Sequence, residues 1–108
     1  PFARLGAGSF VAAQAVVAPG ARLGLGVIVN HGAVVDHDCR VGDFAHIAPG
    51  AVLGGDVDIG PGVLVGAGAV VLPGRSVAAG AVVGAGAVVR DNIDSPGTWV
   101  GVPARRMA

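Results

Sequence analysis

Every sixth residue of this chain from Leu5 to Val89 is Val, Leu or Ile, fifteen in succession without one insertion. Four residues after each comes a smaller column, mostly Ala and Val, in which only Ser9 and Arg75 are polar. One place earlier, ten hexads carry Gly and three carry Asp38, Asp56 or Asn92, with Gln14 and Phe44 as exceptions. Gly, Asp and Asn tolerate positive φ best, so this place reads as a corner. A period of six fits neither an amphipathic helix nor an alternating strand. It fits a solenoid in which each hexad makes one short strand and one corner, with aliphatic and small side chains inward. Such a solenoid is an all-β parallel β-helix; were three hexads to make one triangular coil, the stacking period would be 18 residues. Residues 1–94 are expected to form the coil and 95–108 a short C-terminal extension.

Stacking at 18 residues predicts which side chains share an outer face. One outward column reads Phe10, Ile28, His46, Leu64, Val82 and a second Val16, Val34, Val52, Val70, Val88. The third reads Arg22, Arg40, Asp58, Ser76. Two apolar faces and one polar face suit a three-fold assembly in which each prism touches two neighbours. A homotrimer is predicted.

Composition narrows the function classes. The 108 residues allow one domain, and seven Arg balance seven Asp. With no net charge, no electrostatic footprint favours nucleic acid or an anionic membrane surface. Mean hydropathy is high at +0.73, yet no apolar run is long enough for a membrane helix. A lone cysteine, Cys39, cannot form an internal disulfide, and with no signal peptide the chain is expected to be cytoplasmic. It begins at Pro1 without Met and reads as a piece of a longer protein.

Candidate chemistry centres on the histidines. His31 reads as a surface or cleft side chain. His37 lies in Asp36-His37-Asp38-Cys39, where a flanking carboxylate could hold its tautomer for general-base work. Asp38 is the better candidate, although it also fills a corner place where Asp is expected anyway; Asp36 remains open. One coil on from His37 is Gly55, roughly 5 Å away by strand spacing. An amide there could point at a developing oxyanion, so base and donor together make an acyl-transfer constellation. His46 is the one polar member of its apolar column and needs a partner or a ligand. Cys39 falls in the inward column and reads as core. His31 and His37 sit on adjacent faces of one coil and would not chelate one ion within a chain, so no metal is expected.

The run Val34-Val35-Asp36-His37-Asp38-Cys39-Arg40-Val41-Gly42-Asp43-Phe44-Ala45-His46-Ile47 resembles the NeuD/PglD-type sugar acetyltransferases of the hexapeptide superfamily. The ending Gly101-Val102-Pro103-Ala104-Arg105-Arg106-Met107 is similar to their closing element. The resemblance implies a left-handed helix of about five triangular coils, three hexads to each, and acetyl-CoA as co-substrate, bound in a groove between two subunits. His37 would be the general base, Asp38 its orienting acid and Asn30 an active-site amide. His46 would sit near the acetyl group, and Gly55 would give its amide to the thioester carbonyl. The pantetheine arm would touch Gly66, Ala67, Gly84 and Ala85, with Val102 and Pro103 beside it and Arg105 and Arg106 near the CoA phosphates. The acceptor would be an amine or hydroxyl of a sugar or nucleotide-sugar, of the sialic acid or UDP-4-amino-sugar type. The N-terminal α/β sugar-binding domain usual in the family is expected to lie outside these 108 residues. Two other readings stand beside this one: a non-catalytic trimeric scaffold, and a γ-type carbonic anhydrase, whose histidine spacing departs from 31, 37 and 46.

Overall fold

The computed structural model describes residues 2–107. It is a three-sided prism, 38 × 21 × 20 Å, made of five coils. The polar sheet stacks β1 (Arg4–Leu5), β4 (Arg22–Leu23), β7 (Arg40–Val41), β10 (Asp58–Ile59) and β13 (Ser76–Val77). The histidine sheet begins with β2 (Phe10–Val11), β5 (Ile28–Val29), β8 (His46–Ile47), β11 (Leu64–Val65) and β14 (Ala81–Val83). The valine sheet contains β3 (Val16–Val17), β6 (Val34–Val35), β9 (Val52–Leu53), β12 (Val70–Val71) and β15 (Val88–Val89). All pairs within the coil are parallel, and the register of 18 holds throughout: Ile28, His46, Leu64 and Val82 are successive partners.

Strands this short have no stability alone. They persist because each coil hydrogen-bonds to the next, as in Val34 N–H to Ala51 O at 2.8 Å and Val52 N–H to Ala69 O at 2.9 Å. The inward aliphatic and small columns interlock along the axis, with Val35, Ile47, Leu53, Val65 and Val83 fully buried. No polar or charged side chain is buried among the described residues. The core is therefore uniform, and all chemistry is on the corners and outer faces.

Gln14 and Phe44 do not interrupt the corners: they take φ of 62° and 60°, matching Asp38 at 59° and the glycines. A bulky residue in this region carries a strain of about 1 kcal/mol or more, and the stacked coils impose it. Asn92 departs from the sequence expectation, since it is not among the left-handed residues. Its side chain instead accepts the Ser76 N–H at 2.9 Å, where the chain begins to leave the coil.

The extension closes the open end of the prism. β16 (Gly97–Val100) adds to the histidine sheet beside β14, and β17 (Arg105–Arg106) folds back antiparallel through a cis Val102–Pro103 turn. Register places Trp99 opposite Val83, where its indole packs on the core. A solenoid needs such an end piece, because its last coil otherwise leaves apolar side chains in water. Among the described residues no helix is long and apolar enough to cross a membrane.

Candidate active site

His37 occupies the corner between the valine and polar sheets, and three neighbours fix it. Asp36 Oδ1 accepts the His37 backbone N–H at 2.7 Å, holding the turn. Asp38 turns the chain and brings Oδ2 to 3.1 Å from His37 Nδ1. A carboxylate only accepts, so Nδ1 carries the proton and neutral His37 keeps its lone pair on Nε2. The two acids flanking His37 thus divide the work, Asp38 on the ring and Asp36 on the backbone. Both partners of the ring contact are well exposed (61% and 65%), so solvent screens it, and its worth lies in orientation.

The ring lies over Gly55, one coil on. A Cβ at Gly55 would collide with His37 Nε2 and come within 2.6 Å of Cε1 and 2.9 Å of Cδ2. The basic nitrogen therefore sits against the backbone of residue 55. Gly20, one coil back, makes the matching concession on the other side. A Cβ there would overlap Asp38 Oδ1 and lie 3.0 Å from its Cγ. Gly20 escaped the sequence reading, although the rule of 18 that pairs His37 with Gly55 also pairs Gly20 with Asp38.

His46 projects outward from β8 between Ile28 and Leu64 and finds its partner in Asn30. Asn30 Oδ1 accepts the His31 N–H at 2.8 Å, which assigns Nδ2 as the atom 3.2 Å from His46 Nε2. The amide donates, so neutral His46 carries its proton on Nδ1. His31 is exposed on the corner between the histidine and valine sheets. No group of three His, Cys or Asp side chains able to hold a metal ion forms among the described residues. Cys39 is fully buried, with Sγ 3.1 Å from Gly54 O. Burial, the largest influence, raises its pKa above the ordinary value and keeps it a thiol.

Gly66-Ala67 and Gly84-Ala85 stack on the corner between the histidine and valine sheets, an edge of the prism different from that of His37. Ala67 and Ala85 are exposed. The glycines beside them are tightly covered: a Cβ on Gly66 would meet Ala85 N at 2.7 Å, and one on Gly84 would meet Val100 Cγ1 at 2.8 Å. The extension joins this edge through Gly84 N–H to Trp99 O at 2.8 Å and Ala104 N–H to Val88 O at 2.7 Å. Val102 is 72% exposed at the turn, Pro103 is half-buried, and Arg105 and Arg106 are exposed on β17. One chain thus brings together His37, Asp38 and Gly55, and separately Asn30 and His46. Asn30 shares the edge of Gly66-Ala67 and Gly84-Ala85, two coils before Gly66, whereas His37 lies on another edge.

Fifteen unbroken hexads coiled around an aliphatic core define the hexapeptide-repeat class, an all-β left-handed parallel β-helix. The acetyltransferase domain of PglB from Neisseria gonorrhoeae FA1090, solved also with acetyl coenzyme A, is 45% identical with a TM-score of 0.97, covering 99% of this chain and 52% of that one. PerB from Caulobacter crescentus, solved with CoA and GDP-perosamine, is 40% identical with a TM-score of 0.98, covering 100% and 52%. A maltose O-acetyltransferase from Clostridium difficile 630, at 22% identity and a TM-score of 0.88, shares the fold. No protein-family profile and no curated protein matches. The chain spans about half the length of the first two structures. The chain is a hexapeptide-repeat coil similar over its whole length to the coils of these sugar acetyltransferases.

The backbone at Gly55 is not left-handed, so alanine is allowed there and only the exposed imidazole must give way. Gly55→Ala is expected to leave the coil within about 1 kcal/mol of the parent. In imidazole NMR spectra it should shift the His37 signals and leave those of His31 and His46 in place. Unmoved His37 signals would contradict the placement.

Proposed function

We propose that this coil transfers the acetyl group of acetyl-CoA to an amine on a sugar or nucleotide-linked sugar. The observation that carries this is the His37 ring, held by Asp38 at Nδ1 and lying with Nε2 over the Gly55 backbone. Support for the acceptor class comes from PerB, solved with CoA and GDP-perosamine. Support for the donor comes from the gonococcal domain solved with acetyl coenzyme A.

The acceptor nitrogen attacks the thioester carbonyl carbon while Nε2 of His37 removes its proton. Negative charge gathers on the carbonyl oxygen, where the Gly55 N–H donates to it. No hydrogen bond within the described residues occupies that N–H. One such donor is worth about 10²–10³ in rate. The tetrahedral intermediate collapses with cleavage of the C–S bond, and His37 returns the proton to the departing thiolate. Asp38 stabilises the imidazolium between the two transfers. No acyl-enzyme forms, since the buried Cys39 thiol lies off the path.

The pieces on separate edges of one prism meet if a second copy closes the groove. Phe10 is 59% exposed and Val16 49%, while Ile28 and Leu64 are each 37% exposed, along the histidine and valine sheets. A homotrimer buries these stripes and brings His46 and the Ala67–Ala85 edge of one subunit toward His37 of the next. Acetyl-CoA then lies between subunits, with Val102, Pro103, Arg105 and Arg106 of the extension at its far end.

His37→Ala is expected to bind acetyl-CoA within twofold of wild type by calorimetry while transfer to an amino-sugar nucleotide falls roughly 10²–10⁴-fold. Undiminished transfer would remove His37 from the mechanism. Sedimentation of the wild type should give three chains, and Leu64→Arg, which puts a charge on the apolar stripe, should give one. A monomeric wild type would overturn the intersubunit site.

A further inference from the structure

The polar sheet carries a charge pattern that stacking alone should disfavour. Arg4, Arg22 and Arg40 are direct partners on three successive rungs, about 4.8 Å apart. Like charges directly opposite on neighbouring strands repel. Arg40 is relieved by Asp56 Oδ1 at 3.1 Å and Asp58 Oδ2 at 3.5 Å, contacts that raise its pKa further. Arg4 and Arg22 have no carboxylate within ion-pair distance among the described residues.

These two arginines border an open cavity of about 410 Å³, completed by Phe2, Gly20 and Asp38. A smaller space of about 240 Å³ continues between Arg22 and Arg40 over Gly20 and Asp38. Asp38 is the residue that orients His37, so the cavity adjoins the catalytic corner. Its carboxylate is already committed, with Oδ2 on the His37 ring and Oδ1 tucked over Gly20. Two guanidinium groups against one engaged carboxylate leave the rim positive. Guanidinium groups grip phosphoryl oxygens in pairs, a geometry a point charge cannot match.

We propose that this cavity binds a phosphoryl group of the acceptor, with Arg4 and Arg22 as its ligands. Binding there relieves the repulsion along the arginine column and anchors the acceptor beside His37, with its amine directed to Nε2. The acceptor is then a phosphate- or diphosphate-bearing amino sugar, not a free one. The identity of the bound molecule as acceptor rests on the acetyl-transfer reading above; the anion site itself does not.

The test uses inorganic pyrophosphate as the probe, so that binding is read without catalysis. By calorimetry, wild type and Arg90→Gln should bind it alike, because Arg90 pairs with Asp91 at the other end of the coil. The double variant Arg4→Gln/Arg22→Gln should bind at least tenfold more weakly. Both substitutions lie on exposed residues and leave the core intact. In transfer assays the double variant should raise KM at least tenfold for a nucleotide-diphosphate amino sugar, with kcat and the acetyl-CoA KM within twofold. KM for the free amino sugar should not change. Pyrophosphate binding that survives the double substitution, or that CoA displaces one for one, overturns the proposal. An equal KM rise for the free sugar overturns it too. If the double variant loses pyrophosphate but wild type acetylates no acceptor, the anion site stands and the acetyl-transfer reading fails.

Discussion

Each coil of this protein can exist only because another lies 18 residues away. Strands of two or three residues supply almost no stability of their own, so every backbone amide on a face looks to the next coil for its partner. The same constraint fixes side-chain registry along the whole prism. Two residues 18 apart stack on one edge; nothing local decides it. The candidate site is a product of that rule, with Gly20, Asp38 and the His37–Gly55 contact belonging to three consecutive coils.

A corner that must stack tightly is a good place to hold an imidazole. The backbone of one coil floors the ring, and the absence of side chains at Gly20 and Gly55 lets Asp38 and His37 lie flat against it. Orientation here comes from steric permission together with two short contacts to Asp36 and Asp38. This arrangement suits chemistry in which one nitrogen must give and take a proton without moving. The apolar faces beside it serve another end, since they suit burial against copies of the same chain.

Much of this was legible in the sequence because the aliphatic and small columns never slip. The inward columns and the buried Cys39 follow from counting by six; with the three-hexad coil that the resemblance implies, the five coils, the three outer faces and the His37–Gly55 pairing follow as well. Other features hid where the count fails. Trp99 continues the inward column opposite Val83 but sits 16 residues on, so a hexad scan misses that it caps the core. Asn30 and His46 are also 16 apart and meet through side chains that reach between rungs. Gln14 and Phe44 look like breaks because their side chains disfavour positive φ, yet the coils above and below hold them there. The division of labour between Asp36 and Asp38 depends on rotamers, which no spacing encodes. The arginine column read only as a wet face until its partners could be compared, and Arg40 alone proved to be neutralised.

In the proposed mechanism the Nε2 of His37 and the N–H of Gly55 converge on one thioester carbonyl. The most direct measurement is amide NMR of the ¹⁵N-labelled protein titrated with a ketone analogue of acetyl-CoA, in which CH₂ replaces sulfur and no acetyl group can leave. The account predicts that the Gly55 amide moves downfield, among the largest shifts in the chain, and that it does so with His37 intact or replaced by alanine. A titration that saturates while the Gly55 amide stays in place would contradict it.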